Sequence, residues 1–243
     1  DAESAARNYD RALRLEPTVA DRILSDVAVE LESPHGSVPL LYVAARAARH
    51  AGKLEQCCQL LTNIYSQDVE EFGRVSAELR KSAEENPQDL LPPRTTARIL
   101  LAHKEAEAAA NIISELAGNE SHPVESRRAM LREFHQRIPD HAGLLVGLAR
   151  LHGETAELDQ AAELLWDALG RENLPHETAL PLVAELLEDA PEHGELRLIH
   201  HDLLLLAGRI DEALDALPEP GALSNDRQEA LSERLAAAPR RGH

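Results

Sequence analysis

Ser33-Pro34-His35-Gly36 is the first of four segments in which a proline recurs at nearly constant spacing. Successive prolines lie 53, 52 and 52 residues apart. Because proline lacks a backbone N–H and disfavours helical geometry in the residue before it, each one is expected to end a helix. A period of this length predicts stacked helical repeats. The three later segments are Asn86-Pro87-Gln88-Asp89, Ile138-Pro139-Asp140-His141 and Ala190-Pro191-Glu192-His193.

Two further breaks recur within each period. A short segment about 17 residues after each proline contains, in three of the four repeats, a glycine of the kind that commonly closes a helix. A third break falls near Asp68, Ser121, Asn173 and Pro218. Amphipathic stretches separate the breaks, so each repeat is predicted to contain three helices. The short segments are His50-Ala51-Gly52-Lys53, His103-Lys104-Glu105, His152-Gly153-Glu154 and Ala207-Gly208-Arg209.

This organisation predicts an all-α protein, a right-handed α-α superhelix of about fourteen helices that forms a single domain. Residues 1–16 correspond to the last helix of a preceding repeat, and residues 222–238 to a terminal or capping helix. The four three-helix repeats are predicted at residues 18–67, 69–117, 122–170 and 174–217 of the 243-residue chain.

In the opening segment, the small residues Ala5 and Ala12, the aromatic Tyr9 and the closing Pro17 stand at a spacing that resembles the second helix of a tetratricopeptide (TPR) repeat. Residues 40–64 and 196–217 resemble TPR helix pairs, whereas residues 69–138 match the family poorly. The repeat also differs from the family's unit of about 34 residues and two helices, because a third helix recurs with every pair. The resemblance implies a TPR-like solenoid that binds proteins or peptides.

The composition argues against several classes of protein. The chain has 43 acidic and 25 basic residues and a formal net charge of −18, which disfavours a nucleic-acid-binding face. Its uninterrupted apolar runs, such as Leu203 to Ala207, are far too short to span a membrane. The adjacent Cys57 and Cys58 are expected to pack in the core, with a redox switch as the alternative. Two adjacent cysteines without a useful disulfide mildly favour a reducing compartment such as the cytoplasm. A scaffold in the periplasm or cell envelope is the alternative.

Catalytic and metal-binding motifs are missing from the sequence. It contains no Gly-rich phosphate loop, no Gly-x-Ser-x-Gly elbow and no His-Glu-x-x-His. No two of the twelve histidines lie three or four residues apart, so none pair on one helical face as zinc ligands would. We therefore expect no enzyme activity, no cofactor and no metal.

One charge pattern stands out against the acidic background. The middle helices of the first three repeats, taken as residues 38–51, 93–104 and 141–152, contain no Asp or Glu. The fourth, residues 194–207, combines one arginine with two acidic residues. Because equivalent helices line up in a solenoid, this row is expected to form a basic strip with acidic flanks. Its candidate partner-binding residues are Tyr42, Arg46, Arg49, Arg94, Arg98, Arg150 and Arg197.

The basic strip has a functional interpretation and two structural ones. Arginines on one helical face could receive the carboxylates of an acidic partner segment. Alternatively, the middle helix is the most buried row and its arginines reach outward at the edges, or they pair with carboxylates of neighbouring helices. A histidine recurs near the end of each of these three helices, at His50, His103 and His152. A protonated histidine there would be stabilised by the negative end of the helix dipole. The alternative is a row of histidines that responds to pH.

The sequence therefore favours a non-enzymatic scaffold that binds a peptide or protein partner, with an acidic segment on the middle-helix arginines. The alternative is a regulatory or sensor region of a larger signalling or transcriptional protein. Neither nucleic-acid binding nor membrane insertion is expected, and the oligomeric state is left open.

Overall fold

A computed structural model describes residues 2–28, 36–171, 174–218 and 223. These residues form thirteen α-helices and two short 3-10 turns, and they contain no β-strand. The all-α class is therefore confirmed. The predicted terminal helix at 222–238, the proline segment at 33–36 apart from Gly36, and Asn173 lie outside the described residues. No helix in the described part of the chain is long and apolar enough to cross a membrane.

The chain divides into two compact units, Asp1–His122 and Pro123–His243. The boundary between them coincides with the predicted start of the third repeat. The division into four three-helix repeats stays a prediction. The first unit contains α1 (Ala2–Leu15), α2 (Ala20–Asp26), α3 (Val38–His50), α4 (Leu54–Gln67), α5 (Phe72–Glu85), α6 (Leu91–Ala102) and α7 (Ala106–Ala117). The second contains α8 (Val124–Arg137), α9 (Ala142–Glu154), α10 (Leu158–Leu169), α11 (His176–Asp189), α12 (Gly194–Leu206) and α13 (Ile210–Ala216).

Consecutive helices pack on one another within each unit, which is the packing of an α-α solenoid. The closest pairs are α3 with α4, α6 with α7, α9 with α10 and α12 with α13. In the first unit the middle helix α3 is buried almost all round, and its small residues Ala44, Ala47 and Ala48 are fully inaccessible to solvent. The helix α9 is buried in the same way in the second unit. Small side chains allow the neighbouring helices to approach this row closely, so the middle helix forms the centre of each core.

The turns that follow the middle helices recur at a constant period. Four residues in the described chain have a positive φ, and they lie 52 residues apart: Gly52 (72°), Lys104 (66°), Ala156 (57°) and Gly208 (73°). In each turn the next residue donates its N–H to a carbonyl five positions back, as Lys53 does to Ala48 at 2.8 Å. This is the Schellman motif, in which a left-handed residue satisfies the last carbonyls of a helix.

The third turn differs from its sequence prediction. Gly153 was expected to lie in the break, but α9 continues to Glu154 and the left-handed residue is Ala156. Gly153 instead lies inside the helix, where its missing side chain makes room for Leu186 of α11. Position 153 therefore requires glycine because the Leu186 side chain approaches its backbone closely, and not because the backbone turns there.

The turns provide a first test of the backbone. Gly52→Ala places a side chain on a left-handed residue, so we expect the free energy of unfolding to fall by about 1 kcal/mol. Ala156→Gly at the equivalent position relieves the same strain and is expected to raise it by about 0.5 kcal/mol. Both values are measured by urea denaturation.

Gly73→Ala is the control, because Gly73 is helical and an added Cβ meets nothing within 4 Å. It is expected to stabilise the protein by about 0.5–1 kcal/mol. A loss of stability in Ala156→Gly as large as that in Gly52→Ala would contradict the left-handed assignment.

Candidate functional site

The arginines of the predicted strip occupy equivalent positions in successive middle helices. Arg46, Arg98 and Arg150 each lie six residues before a left-handed turn residue, on α3, α6 and α9. The fourth equivalent position, on α12, is Asp202. The basic character of this position therefore ends at the last described repeat.

Arg46 holds two carboxylates from two different helices. Its Nη1 donates to Asp10 Oδ1 of α1 at 2.6 Å, and its Nε donates to Glu78 Oε1 of α5 at 2.6 Å. The side chain of Arg46 is 24% exposed to solvent. Because two carboxylates bind its guanidinium, the side chain of Arg46 is fixed in position and connects α3 to both α1 and α5.

Arg49 lies one turn further along α3 and is more deeply buried. Its side chain is only 3% exposed. Its Nη1 donates to Glu78 Oε2 at 2.8 Å, and its Nε lies 3.0 Å from Glu85 Oε2 without the alignment of a hydrogen bond. Both oxygens of Glu78 are thus occupied by arginines of α3. Because a buried charge without a partner is costly, Glu78 is required for the packing of α5 on α3.

Tyr42 lies one turn before Arg46 and is also buried. Its hydroxyl donates to Glu71 Oε2 at 2.8 Å, and the guanidinium carbon of Arg74 lies 3.9 Å from the centre of its ring. Burial, together with the hydrogen bond to Glu71, raises the pKa of the Tyr42 hydroxyl. The phenol therefore stays protonated and acts as a donor and as a platform for the arginine.

Two open clefts flank the bridge formed by Asp10, Arg46 and Glu78. The Tyr42 cleft has a volume of about 240 Å³, and the Arg49 cleft about 200 Å³. Asp10 and Arg46 line both clefts, so the bridge separates them. The Tyr42 cleft is lined by Glu3, Ala6, Arg7, Asp10, Pro39, Tyr42, Val43, Arg46 and Arg74. The Arg49 cleft is lined by Asp10, Leu13, Arg14, Arg46, Arg49, His50, Glu78 and Lys81.

Both clefts reverse the sign of the protein's net charge. The Tyr42 cleft has three arginines against two carboxylates in its lining, and the Arg49 cleft has three arginines and a lysine against two. The whole chain carries a formal charge of −18. Among the described residues, the exposed Arg7 has no carboxylate within ion-pair distance, and Arg74 lies 3.8 Å from Glu71. The Tyr42 cleft therefore has two exposed arginines that the hydrogen-bonded bridge of Asp10, Arg46 and Glu78 does not hold.

The carboxylates of the bridge stay ionised. Burial raises the pKa of Asp10 and of Glu78, but hydrogen bonds from Arg46 and its charge outweigh that effect. Arg14 adds to the lowering at Asp10, and Arg49 adds to it at Glu78. The net shift of both pKa values is downward, so the bridge is an ion-pair network at neutral pH.

The other strip residues lie in different surroundings. Arg94 and Arg98 are half-buried on α6. Arg150 is half-buried on α9 and makes no ion pair within the described part of the chain. Arg197 donates from Nη2 to the carbonyl of Leu217 at 3.0 Å, which ties α12 to the end of α13. The structure therefore combines Tyr42, Arg46 and Arg49 into one site. Partner binding by all seven residues stays a prediction.

Several residues of the site were not identified from the sequence. Arg7 and Arg74 lie outside the middle helices, and Asp10 and Glu78 approach Arg46 from 36 and 32 positions away. The pairing of middle-helix arginines with carboxylates of neighbouring helices, one of the two structural interpretations, describes Arg46 and Arg49. The sequence signal for Glu78 is its position on the α5 face that also carries the buried Val75 and Leu79.

The three recurring histidines have unlike environments. His50 is exposed, whereas the ring of His103 stacks on Phe72 with centroids 4.3 Å apart. His152 is buried, and its Nδ1 lies 2.6 Å from Glu157 Oε2. Next to it in the second unit, the buried Arg127 binds Glu154 with both terminal nitrogens. The three histidines thus share no common contact.

The described residues were also searched for metal-binding clusters and reactive cysteines. They contain no cluster of three or more His, Cys, Asp or Glu that could hold a metal ion. Cys57 and Cys58 are both free and buried in the core of the first unit. Burial raises the pKa of both thiols, that of Cys58 to about 12. Thiols of this kind are poor nucleophiles because the reactive thiolate is scarce.

Comparison with protein-family models gives no match for this chain, and no curated protein has a significantly similar sequence.

The bridge generates a prediction about stability. Glu78→Gln removes the charge that neutralises the buried Arg49, so we expect the free energy of unfolding to fall by about 3 kcal/mol. Glu84→Gln on the same helix is the control, because Glu84 is exposed, and its effect should stay within about 0.5 kcal/mol. Urea denaturation at neutral pH measures both variants. Equal effects would show that Glu78 contributes no more than a surface charge.

The bridge also predicts a pH dependence. The pKa values of Asp10 and Glu78 fall below their ordinary values of 3.8 and 4.5, so the folded chain binds fewer protons there than the unfolded chain. Their stabilisation is present above the ordinary pKa values and is lost as the pH falls through the folded ones. We expect the free energy of unfolding to decrease below about pH 5, and less steeply in Glu78→Gln than in the parent. Parallel curves from urea titrations at several pH values would contradict this.

Proposed function

We propose that this chain is a non-enzymatic protein-interaction scaffold, a TPR-like solenoid that binds an acidic segment of a peptide or protein partner in the Tyr42 cleft. The observation that carries the proposal is the excess of cationic groups around this cleft in a chain of charge −18. Because the net negative charge of the chain repels an acidic partner, a local basic cleft favours binding of such a partner at this place.

Arg7 and Arg74 are the residues proposed to contact the partner's carboxylates. Both are exposed and line the same cleft, and each belongs to a helix that packs beside the rigid middle helix. Arg74 lies over the ring of Tyr42, which orients its planar guanidinium. A guanidinium with a fixed plane offers two parallel N–H donors to a carboxylate at a reduced cost in side-chain entropy.

Arg46 has a positioning role in this proposal. It already holds Asp10 and Glu78, and it forms the boundary of the cleft. A partner carboxylate would have to displace Asp10 to reach it directly. The bridge therefore supports a preformed cleft, in which little ordering is needed when the partner binds.

The scaffold class itself is supported by the TPR resemblance of the opening helix. That stretch is α1, which supplies Arg7 and Asp10 to the site. The neighbouring α3 and α4 belong to a second TPR-like pair, and they pack closely. The cleft thus lies within a part of the chain that resembles peptide-binding repeats.

The test uses a fluorescein-labelled decapeptide of glutamate, with glutamine and lysine decapeptides as probes of charge. We expect the parent to bind the glutamate peptide, with an affinity that falls as salt rises. Arg7→Glu with Arg74→Glu is expected to weaken binding about tenfold or more, which corresponds to about 1.4 kcal/mol. Fluorescence anisotropy measures the affinities.

The matched control is Arg11→Glu with Arg80→Glu. It makes the same change of net charge on the same two helices, α1 and α5, at exposed arginines that do not line the cleft. We expect it to retain most of the affinity. Equal weakening in both double variants would indicate attraction to the surface at large, and binding of the lysine peptide instead would favour a basic client on the acidic surface. No binding to any peptide would shift weight to the regulatory-sensor alternative.

A further inference from the structure

The helices α1 and α5 both run in the same direction as α3. Arg46, in the later half of α3, contacts Asp10 of α1 and Glu78 of α5. Apart from the shared Asp10 and Arg46, the Tyr42 cleft is lined by earlier residues of each helix and the Arg49 cleft by later ones. The two clefts therefore follow one another along the helix axes, with the bridge of Asp10, Arg46 and Glu78 between them.

The exposed cations of the two clefts repeat with a spacing of seven residues. On α1, Arg7 lines the Tyr42 cleft and Arg14 lines the Arg49 cleft, and on α5 Arg74 and Lys81 do the same. Seven residues of an α-helix span about 10.5 Å and fall about 20° short of two full turns. The four residues therefore form two pairs, Arg7 with Arg74 and Arg14 with Lys81, that lie two helical turns apart.

The second pair is accessible to a partner. The side chains of Arg14 and Lys81 are 77% and 56% exposed. Arg14 Nη2 donates to Asp10 Oδ2 at 2.6 Å, and Lys81 Nζ lies 4.0 Å from Glu85 Oε1. Because a guanidinium has five N–H donors and an ammonium group has three, each side chain can bind a further carboxylate.

The Arg49 cleft has a larger positive excess than the Tyr42 cleft. Its lining contains four arginine or lysine side chains against two carboxylates, whereas the Tyr42 cleft contains three against two. Both carboxylates of the Arg49 cleft are bound by arginines, Asp10 by Arg14 and Arg46, and Glu78 by Arg46 and Arg49. An incoming acidic group is therefore attracted to this cleft.

The two cationic pairs are a feature of the first unit and do not recur along the chain. Each of the four residues has equivalents one and two periods of 52 later, and every one of these equivalents is neutral or acidic. Helical packing in the solenoid therefore does not by itself require cations at these positions. The equivalents are Gln59 and Asn111 for Arg7, Ser66 and Gly118 for Arg14, Ser126 and Thr178 for Arg74, and Glu133 and Glu185 for Lys81.

The distance between the pairs favours a helical partner. Carboxylates that reach both pairs must lie on one side of the partner, about 10.5 Å apart. Side chains on one face of an extended strand recur at about 6.7 Å and 13 Å, and those of a polyproline helix at about 9.3 Å. In an α-helix, residues seven positions apart match both the distance and the direction.

We propose that the Arg49 cleft is a second binding site for the acidic partner, and that the partner segment is an α-helix that lies along α3. Its acidic residues are seven positions apart. One carboxylate is bound by Arg7 and Arg74, and the other by Arg14 and Lys81. This inference rests on the proposed function, because it extends the site at the Tyr42 cleft along the same helices. Engagement of both sites by one partner raises the affinity above that of either site alone.

The first experiment compares acidic peptides that differ in spacing. The helical probe is a peptide of alanine and glutamine of about 20 residues, long enough to form a helix in water, with two glutamates seven positions apart. Its isomer has the glutamates five positions apart, about 140° from each other around the helix. We expect the probe to displace the labelled glutamate decapeptide at about tenfold lower concentration than the isomer. Fluorescence anisotropy measures the displacement, and circular dichroism verifies that both peptides are equally helical.

The second experiment assigns the contacts. Arg14→Gln with Lys81→Gln should reduce the preference for the seven-residue spacing to about twofold or less, because one site remains. Arg11→Gln with Arg80→Gln is the matched control, since it removes the same charge from α1 and α5 at exposed arginines that line neither cleft. It should keep the preference. All four side chains are exposed, so both variants should melt within about 2 °C of the parent.

The outcomes separate this inference from the proposed function. If Arg7→Glu with Arg74→Glu weakens binding of the decapeptide but the probe and its isomer displace it equally, the second site is overturned and the Tyr42 cleft stands. Equal loss of the preference in Arg14→Gln, Lys81→Gln and in its control would also overturn the second site. Stronger displacement by a proline-rich peptide with two glutamates three positions apart would overturn the helical partner. Failure of every acidic peptide to bind would overturn both proposals.

Discussion

The Schellman turn after each middle helix is the constraint on which the rest of the structure depends. It satisfies the last carbonyls of the helix and reverses the chain, so that the third helix packs against the middle one. The four left-handed residues recur every 52 positions, at Gly52, Lys104, Ala156 and Gly208. A constant turn at a constant period fixes which residues of successive repeats are equivalent. The alignment of Arg46, Arg98 and Arg150 follows from it.

Burial of the middle helix determines the electrostatics of the site. On α3, which is enclosed almost all round, the arginines are neutralised by carboxylates of neighbouring helices. Arg49 obtains one from α5, and Arg46 obtains one each from α1 and α5. Cationic groups that remain exposed therefore come from the flanking helices, as Arg7 and Arg74 do. The absence of acidic residues from α3 and the position of the basic cleft have the same physical origin.

The sequence was sufficient for the helical class because prolines and amphipathic spacing act locally. It was insufficient where the decisive contact is remote in sequence. The break at residues 103–105 was predicted, whereas the one predicted at residues 152–154 ends before Ala156, which adopts a conformation that glycine usually supplies. Gly153 was assigned to a turn because its contact with Leu186 depends on how α11 packs. The partners of Arg46 depend on the same packing, which a single helix does not encode.

The equivalence of the four turns has a consequence for how such a chain can change in length. Gly52 and Lys104 have nearly the same backbone angles, and Lys53 and Glu105 make the same hydrogen bond. Excising residues 53–104 would join two halves of one turn and remove one complete period. Removing a stretch whose length is not a whole number of periods would leave the helices out of phase with their neighbours. The turn is therefore a point at which one period could be gained or lost while the backbone conformation of the junction is kept.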